Sequence, residues 1–309
     1  MIRGVDVAAA YKELRGANAV HYLPAAVVLM AGIWVRAFRW RILLGPLGNV
    51  GTSAAFTALT IGYMANNALP ARLGEFVRTY VLSRATRIRA PAILGTIILE
   101  RVFDVLTLMV LLVLAALASG WRSPWNAPLA GLAGAAVVAF AVMYMLVSGL
   151  TKPSNPVISR LMRLAERPFG GALTRLTASL IQGFRSVASG RSLIAILGLS
   201  VASWLIESAV YFLVLRAFGI HDGGYWLAIV VTCLSNLSGV IPAGPANFGA
   251  FEFFTKEAVS LFGVDAEKAL AFAIAAHFVV IIPPTVLGLL LVWRKGLSAT
   301  RGGAARLSL

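Results

Sequence analysis

The strongest constraint in this sequence is a series of apolar stretches, each close to the length of about 20 residues that an α-helix needs to cross a bilayer. They lie at 17–35, 51–69, 91–119, 127–150, 192–218, 226–243 and 268–293, and a further stretch at 245–262 is interrupted by glycine and proline. Long continuous apolar stretches are typical of helices, which satisfy their own backbone hydrogen bonds in lipid. The sequence therefore predicts an all-α, polytopic transmembrane helical bundle with about seven to eight spans.

The composition agrees with a chain whose surface faces lipid. Of the 309 residues, 59% are hydrophobic and only 13% are charged, too few to cover the exterior of a water-soluble protein of this size. The single cysteine, Cys233, excludes a disulfide within the chain and a multi-cysteine metal site. Residues 1–16 are mixed polar and charged, and the first apolar stretch continues into basic residues, so we expect a retained helix and no removable signal peptide.

Positive charge is concentrated between the apolar stretches. Lysine and arginine number 27 against 12 acidic residues, and the aromatic residues lie inside the apolar stretches instead of alternating with the basic ones. This pattern argues against nucleic acid as a partner and favours contact with anionic lipid headgroups. Basic residues beside apolar stretches are typical of cytoplasmic loops, which places 72–89 and the tail after Trp293 in the cytoplasm. We therefore expect a multi-pass protein of the cell (plasma or inner) membrane.

The segment 151–191 differs in composition from its surroundings. Seven basic residues there are opposed by Glu166 alone, and leucine and phenylalanine recur at helical spacing. This pattern predicts a cytoplasmic amphipathic segment of one or two helices lying on the membrane surface. The alternative is a solvated tether, which the breaks at Pro168, Gly170 and Gly171 would permit.

The positions of the basic loops indicate two helical hairpins. If Arg36, Arg39 and Arg41 are cytoplasmic, the stretch 51–69 begins and ends on the same side and forms half of a hairpin that enters and returns. The same reasoning applied to 226–267 gives a second hairpin that enters from the opposite side. A cytoplasmic N-terminus would instead place the three arginines outside and make 51–69 an ordinary span, so the side of the N-terminus stays open.

The two hairpins contain similar interruptions. Each has a Pro-x-x-x-Gly break followed shortly by a glutamate, and the positions concerned are Pro70, Gly74 and Glu75 in the first and Pro242, Gly244, Pro245, Gly249 and Glu252 in the second. We expect two broken-helix units, 17–119 and 192–293, within a single membrane domain. Two such units opening to opposite faces would form an inverted repeat with a substrate site near the midplane. The alternative is a chance resemblance between the breaks.

Charged residues within the apolar stretches are the first candidates for a site, because placing a charge in the hydrocarbon core of a membrane is costly. Arg72, Glu75 and Arg78 follow the first break at i, i+3 and i+6, so they share a helical face and form an Arg–Glu–Arg ladder, whose guanidinium groups match phosphate oxygens. The alternative is an interfacial salt-bridge cluster that anchors the helix.

Glu100 and Asp104 lie at i, i+4 in an apolar stretch and need cationic partners. The arginines near the first break are the expected partners; structural pairing and proton coupling both remain open as roles.

Further polar residues lie in the remaining apolar stretches. Arg101 points away from the two carboxylates and is expected to reach the interface or Glu207, which is isolated in mid-helix and must face the protein interior or a water-filled cavity. His277 is either a packed, hydrogen-bonded histidine or a functional one. The complete set of predicted substrate-binding or translocation residues is Asn67, Arg72, Glu75, Arg78, Glu100, Arg101, Asp104, Glu207, Asn236, Asn247, Glu252 and His277.

Three motifs in this order resemble the flippase-like membrane family related to the transmembrane domain of lysylphosphatidylglycerol synthase. They are Asn67-Ala-Leu-Pro-Ala-Arg-Leu-Gly-Glu-Phe-Val-Arg78, Glu100-Arg-Val-Phe-Asp104 and Ile241-Pro-Ala-Gly-Pro-Ala-Asn-Phe-Gly-Ala-Phe-Glu252. The resemblance implies an integral membrane protein that binds and translocates a polar-headgroup lipid. It places Arg72, Glu75, Arg78, Glu100, Arg101, Asp104 and Glu252 at matching motif positions. The second break departs from the glycine spacing common in the family, so the subfamily and the lipid do not carry over.

Two classes of function are compatible with these features. The first is a flippase or transporter for a phosphate-bearing phospholipid or a polyprenyl-linked glycolipid; the second is a non-catalytic membrane subunit or scaffold of a glycolipid or cell-envelope biosynthesis complex. An enzyme is not expected, because the sequence lacks a Ser/His/Asp constellation, an acidic metal cluster and an ATPase phosphate loop, and we expect neither a cofactor nor a metal. Charges that line a lipid-sized cavity would favour the flippase, and charges paired in a dry core would favour the scaffold. A homo-oligomer and a partner enzyme of lipid biosynthesis both stay open.

Overall fold

The computed structural model describes residues 6–69, 73–118, 190–240 and 244–304, with side chains as far as Arg294. The predicted span 127–150 and nearly all of the predicted amphipathic segment 151–191 lie outside these residues. Every regular element within them is helical, which confirms the all-α fold class. The helices are α1 (Val7–Gly16), α2 (Tyr22–Leu44), α3 (Thr52–Ala68), α4 (Gly74–Thr86), α5 (Ala90–Ala118), α6 (Gly190–Ala217), α7 (Gly224–Leu237), α8 (Ala250–Ser260) and α9 (Ala266–Ala304).

Three segments of the described chain are long and apolar enough to cross a membrane. They are Ala19–Leu47, Arg191–Ala217 and Ala266–Arg294, which correspond to three of the predicted spans. Helix α5 is also 29 residues long, but it carries three charged residues near its middle. The chain is therefore an integral membrane protein, whereas the total of about seven to eight spans stays a prediction.

Helix α2 is longer than the sequence predicts. The predicted stretch ended at residue 35, but the helix continues to Leu44 and includes Arg36, Arg39 and Arg41. Arg36 and Arg39 are buried within the bundle and are not loop residues. The helix continues because carboxylates on neighbouring helices neutralise the two guanidinium groups, and Leu43 and Leu44 beyond them are fully buried in the core.

Helices α3 and α4 form a tightly packed antiparallel hairpin. The backbone amide of Gly74, at the start of α4, donates to Oδ1 of Asn66 near the end of α3 (2.7 Å). One turn further along α4, Arg78 packs beside Gly62 of α3. With 17 residues, α3 extends about 25 Å and is shorter than the roughly 30 Å of a hydrocarbon core. This geometry is that of a helix that enters the membrane and returns.

Helices α7 and α8 form a second, similar hairpin. They have 14 and 11 residues, pack against each other and are joined by the break at 238–249. Within this break the Asn247 side chain donates to the hydroxyl of Ser238 (2.7 Å). The turn Pro245–Asn247 within the break packs against α3, so the tip of the second hairpin meets the first hairpin inside the bundle.

The two halves of the fold are related by an inverted repeat. Helix α2 packs against α6, α3 against α9, and α5 against α7. If α2, α3, α4 and α5 are exchanged in that order with α6, α7, α8 and α9, the same three pairs of helices remain in contact. Helices α2 and α6 are antiparallel, because Gly32 lies beside Ile206 whereas Arg39 contacts Ser200. Equivalent membrane helices that run antiparallel are related by an axis in the membrane plane, which is an inverted topology. The boundaries 17–119 and 192–293 stay predictions.

Candidate functional site

Five charged residues from three helices form a buried cluster. Arg39 of α2 donates to Asp104 of α5 (2.7 Å), and its other terminal nitrogen lies 3.3 Å from Glu100. Arg78 of α4 contacts the same Glu100 (3.3 Å), and Arg101 contacts Glu100 (3.4 Å) and Asp104 (3.8 Å). These five residues are named the charge cluster below. The predicted pairing with an arginine that follows the first break is present for Glu100, through Arg78, whereas Asp104 pairs with Arg39 and Arg101.

The charge cluster is closed at one end and open at the other. Arg39 and Glu100 are fully buried, whereas 39% of the Arg101 side chain is exposed. Three guanidinium groups face two carboxylates, so the cluster carries one excess positive charge. Because Arg39 neutralises Asp104 at the dry end, the excess lies towards Arg78 and Arg101.

Several donors of the charge cluster are not used by the described residues. Nε and Nη2 of Arg39, the same two atoms of Arg78, and Nε of Arg101 are buried and make no hydrogen bond within the described part of the chain. Arg78 packs over the ring of Trp40, with its guanidinium carbon 5.0 Å from the ring centroid. Guanidinium donors held in this way match the oxygens of a phosphate, whose charge the excess arginine would neutralise.

Glu207 pairs with Arg36 and not with Arg101. The Arg36 guanidinium donates to one oxygen of Glu207, and Asn236 donates to the other (2.8 Å). Arg36 also approaches the hydroxyl of Tyr63 (3.4 Å) and stacks over the ring of Trp204 (4.2 Å). The expectation that Arg101 reaches Glu207 is wrong, because Arg101 turns back onto the carboxylates of its own helix.

The first break is held by asparagines. Asn66 binds the amide of Gly74, and Asn67 donates to the Thr285 hydroxyl of α9 (2.8 Å), which ties the hairpin tip to the last helix. Pro70 and Arg72 lie outside the described residues. Glu75 is half-buried and makes no ion pair within the described part of the chain, and Arg78 binds Glu100 instead. Of the predicted Arg–Glu–Arg ladder, the contact between Glu75 and Arg78 is therefore not formed.

The second break is held by Glu252 and His277. One oxygen of Glu252 accepts the backbone amide of Gly249 (2.7 Å), and the other lies 2.5 Å from Nδ1 of His277. Nε2 of His277 lies 2.9 Å from the carbonyl oxygen of Ala246. Gly244 and Pro245 belong to the same break, whereas Pro242 lies outside the described residues. His277 is thus a packed, hydrogen-bonded histidine, which is the first of the two alternatives given for it from the sequence.

Some members of the site could not be identified from the sequence. Arg36 and Arg39 were assigned to a loop, although their spacing of three residues places them on one face of a helix that continues to Leu44. Ser200, which accepts a hydrogen bond from Arg39 (2.7 Å), gave no signal at all. No group of three or more potential metal ligands occurs among the residues that the structure describes. A cavity of about 690 Å³ lies at the end of α2 and is lined in part by Phe38 and Arg41, and its lining includes no member of the charge cluster.

Comparison with known proteins identifies the family. The family model for the lysylphosphatidylglycerol synthase TM region matches residues 1–288. The chain belongs to this family. Among curated proteins, this family member is 28% identical over 306 residues to a protein named glycosyltransferase AglD of Haloferax volcanii. That match covers 89% of the chain but 49% of AglD, so the chain spans about half the length of this relative.

Two further relatives are membrane proteins of Methanothermobacter thermautotrophicus, both named UPF0104 membrane protein. One is 27% identical over 274 residues, which cover 85% of this chain and 80% of the relative. The other is 26% identical over 257 residues, which cover 77% of this chain and 75% of the relative. No solved structure matches the chain. The family and the relatives agree with an integral membrane protein and leave the role of each site residue as a prediction.

Proposed function

We propose that this protein moves a lipid with a phosphate-bearing headgroup across the cell (plasma or inner) membrane. The observation that carries the proposal is the excess positive charge of the charge cluster, which reaches the surface only through Arg101. A charge at this depth is costly unless it serves a ligand or a structural pair. Arg39 is sufficient to pair Asp104, so the half-exposed Arg101 and the unused donors of Arg78 remain for an anion.

The substrate is a phospholipid or a polyprenyl-linked glycolipid. The polyprenyl alternative is supported by the similarity to a protein named as a glycosyltransferase, although the chain spans only about half of that relative. The headgroup binds at Arg101 and Arg78 while the tails stay in the bilayer. Transport then follows from rocking of one broken-helix unit against the other around the site. The chain carries out no catalytic step in this scheme, and its basic loops contact anionic headgroups.

A second function is supported by a different observation. Arg39, Glu100 and Asp104 pair with one another in a dry interior, as expected of a non-catalytic subunit or scaffold of a glycolipid or cell-envelope biosynthesis complex. In that case the charge cluster fixes α2 against α5, and partner enzymes or a second copy of the chain bind elsewhere. The flippase is preferred because a purely structural cluster has no need of the excess arginine at its open end.

Reconstitution in proteoliposomes tests the proposal. Labelled lipids with a panel of headgroups are presented to the native chain and to the variant Arg101→Gln. We expect headgroup-dependent translocation that falls about ten- to a hundredfold in the variant, which is the effect of losing one charge-assisted contact of about 1.5–3 kcal/mol. Arg84→Gln is the matched control, since Arg84 is exposed, contacts the Tyr80 ring and should leave the rate unchanged.

The outcome separates the two functions. Translocation of no lipid in the panel by folded protein would refute the flippase and favour the scaffold. Equal rates for Arg101→Gln and Arg84→Gln would show that lipid moves without the charge cluster, which would remove the observation on which the proposed site rests.

A further inference from the structure

The contact between Glu252 and His277 contains a proton. Nε2 of His277 faces the carbonyl oxygen of Ala246, which can only accept, so Nε2 carries a hydrogen. Nδ1 faces a carboxyl oxygen of Glu252 at 2.5 Å, and two lone pairs cannot face each other at this distance. One proton must lie between these two atoms, whether the pair is an imidazolium with a carboxylate or an imidazole with a carboxylic acid.

This one proton closes a chain of contacts across the second break. From the Ala246 carbonyl the chain runs through both nitrogens of His277 to Glu252, whose other oxygen accepts the amide of Gly249 (2.7 Å). The ring of His277 is also held between Phe251 (4.1 Å, stacked) and Phe248 (4.8 Å). The break is thereby fixed to α9, because His277 belongs to that helix.

The backbone that the chain of contacts holds is strained. Ala246 (φ +53°) and Asn247 (φ +62°) both adopt the left-handed conformation, and Gly249 follows at φ +90°. For a residue with a Cβ this conformation costs about 1–2 kcal/mol, which surrounding contacts must offset. Losing the proton would remove the contact between Nδ1 of His277 and Glu252, and the strained break, then held to α9 by one contact fewer, would relax away from that helix.

Within the described residues, neither Glu252 nor His277 forms an ion pair with a third residue. Helix α3, which packs on Pro245–Asn247, has Tyr63 as its only titratable residue, and that hydroxyl contacts Arg36. In α7, the Cys233 thiol contacts the Leu108 carbonyl and the Tyr225 hydroxyl contacts the Leu205 carbonyl. In α8, Lys256 pairs with Glu257 (3.3 Å), and within one turn of His277 the residues of α9 are apolar.

We propose that the Glu252–His277 pair is a proton site that gates the second hairpin. With the proton bound, the hairpin tip stays fixed between α9 and α3. When the proton leaves to water at the exposed face of the break, a neutral imidazole and a carboxylate remain, their facing lone pairs repel and the tip is released. The proposal rests on the lipid-transport function and gives it a coupling ion, because the released tip lies where the two hairpins meet.

The substitution Glu252→Gln removes the labile proton but keeps the hydrogen bonds of the break. In Glu252→Gln the side-chain oxygen still accepts the amide of Gly249, and the side-chain amide donates to Nδ1 of a neutral His277, which still donates to Ala246. Every hydrogen bond of the closed break is kept without the labile proton. His277→Ala removes the contacts altogether, and Glu257→Gln is the matched control on α8, where the Glu257 side chain is 48% exposed.

Hydrogen–deuterium exchange of the full chain in lipid nanodiscs tests the proposal without a transport assay. Protection of residues 244–252, corrected for the intrinsic pH dependence of exchange, is measured between roughly pH 5 and pH 9, the range around the ordinary titration of histidine. In the native chain and in Glu257→Gln we expect protection to fall at least tenfold as the pH rises. We expect Glu252→Gln to stay protected throughout and His277→Ala to exchange rapidly throughout.

The possible results distinguish the gate from the transport function. Flat protection in the native chain, or the same pH profile in the native chain and Glu252→Gln, would overturn the proton gate and leave lipid transport to its own assay. Proton-dependent exchange in a chain that moves no lipid would support the proton site while refuting transport.

Discussion

Replacing Arg39 by methionine tests whether the charge cluster holds the bundle together. Arg39 is fully buried and donates to both Asp104 and Ser200 at 2.7 Å, while its second nitrogen lies 3.3 Å from Glu100. Methionine fills much of the same volume without charge. The substitution therefore removes the electrostatic contacts of this position with little change in its packing.

The expected loss follows from what remains around the carboxylates. Glu100 keeps Arg78 and Arg101 at 3.3 and 3.4 Å, but among the described residues Asp104 keeps only Arg101, at 3.8 Å. Removing one partner of a buried ion pair costs about 3–5 kcal/mol, because the other charge stays in a medium of low dielectric. We expect the upper half of this range. Replacing Asp104 by asparagine in the same chain removes the stranded charge, so the double variant should recover about 1–3 kcal/mol.

The free energy of unfolding is measured in mixed micelles titrated with a denaturing detergent. Arg41→Met is the matched control, since Arg41 lies in the same helix, is exposed, makes no ion pair within the described residues, and contacts Thr52 (3.3 Å) and the ring of Phe38 (6.0 Å). Its effect should lie within about 0.5 kcal/mol. The reasoning is refuted if Arg39→Met costs no more than Arg41→Met, or if the effects of Arg39→Met and Asp104→Asn simply add.

Two further substitutions test the hairpin and the second ion pair by the same measurement. Gly74→Ala would place a Cβ 2.1 Å from the carbonyl oxygen of Gly62 and should destabilise the chain by about 1–3 kcal/mol. Gly198→Ala in α6 meets nothing within 4 Å and should instead stabilise by about 0.5–1 kcal/mol, so equal effects would contradict the close approach of α3 and α4. Glu207→Ala strands the buried Arg36 and should cost about 3–5 kcal/mol, but less than half of that in the Arg36→Met background; an unchanged cost there would exclude the pair as the cause.

The features that could be predicted from the sequence are those governed by local pattern. Apolar stretches of membrane-spanning length predict helices, and proline with glycine predicts their interruption. A hairpin was one of two alternatives for residues 51–69, and α3 and α4 form one, although Arg36 and Arg39, on which that alternative depended, are buried in α2 and are not loop residues. Each of these signals needs only neighbouring residues and the known thickness of a bilayer, which is why the fold class was accessible without a structure.

Pairing between distant helices could not be predicted. Glu100 and Asp104 clearly needed cations, but the residue that binds both most deeply, Arg39, is 61 positions or more away and followed an apolar stretch in the manner of a loop residue. For the same reason Arg101 was directed to Glu207, which Arg36 occupies. A sequence shows that a buried charge must be paired, but which partner reaches it depends on how the helices cross.

The inverted repeat places similar packing around two chemically different breaks. In the first unit the cations of the charge cluster are arginines, and in the second the cation that faces Glu252 is His277. A guanidinium keeps its proton under all physiological conditions, whereas an imidazole can lose it. On the proposed scheme the first unit therefore presents a permanent cation to the headgroup, and the second opens or closes with its proton. In this scheme two units with similar packing have different functions, and the asymmetry that the proposed transport requires follows from these side chains and not from the packing of the helices.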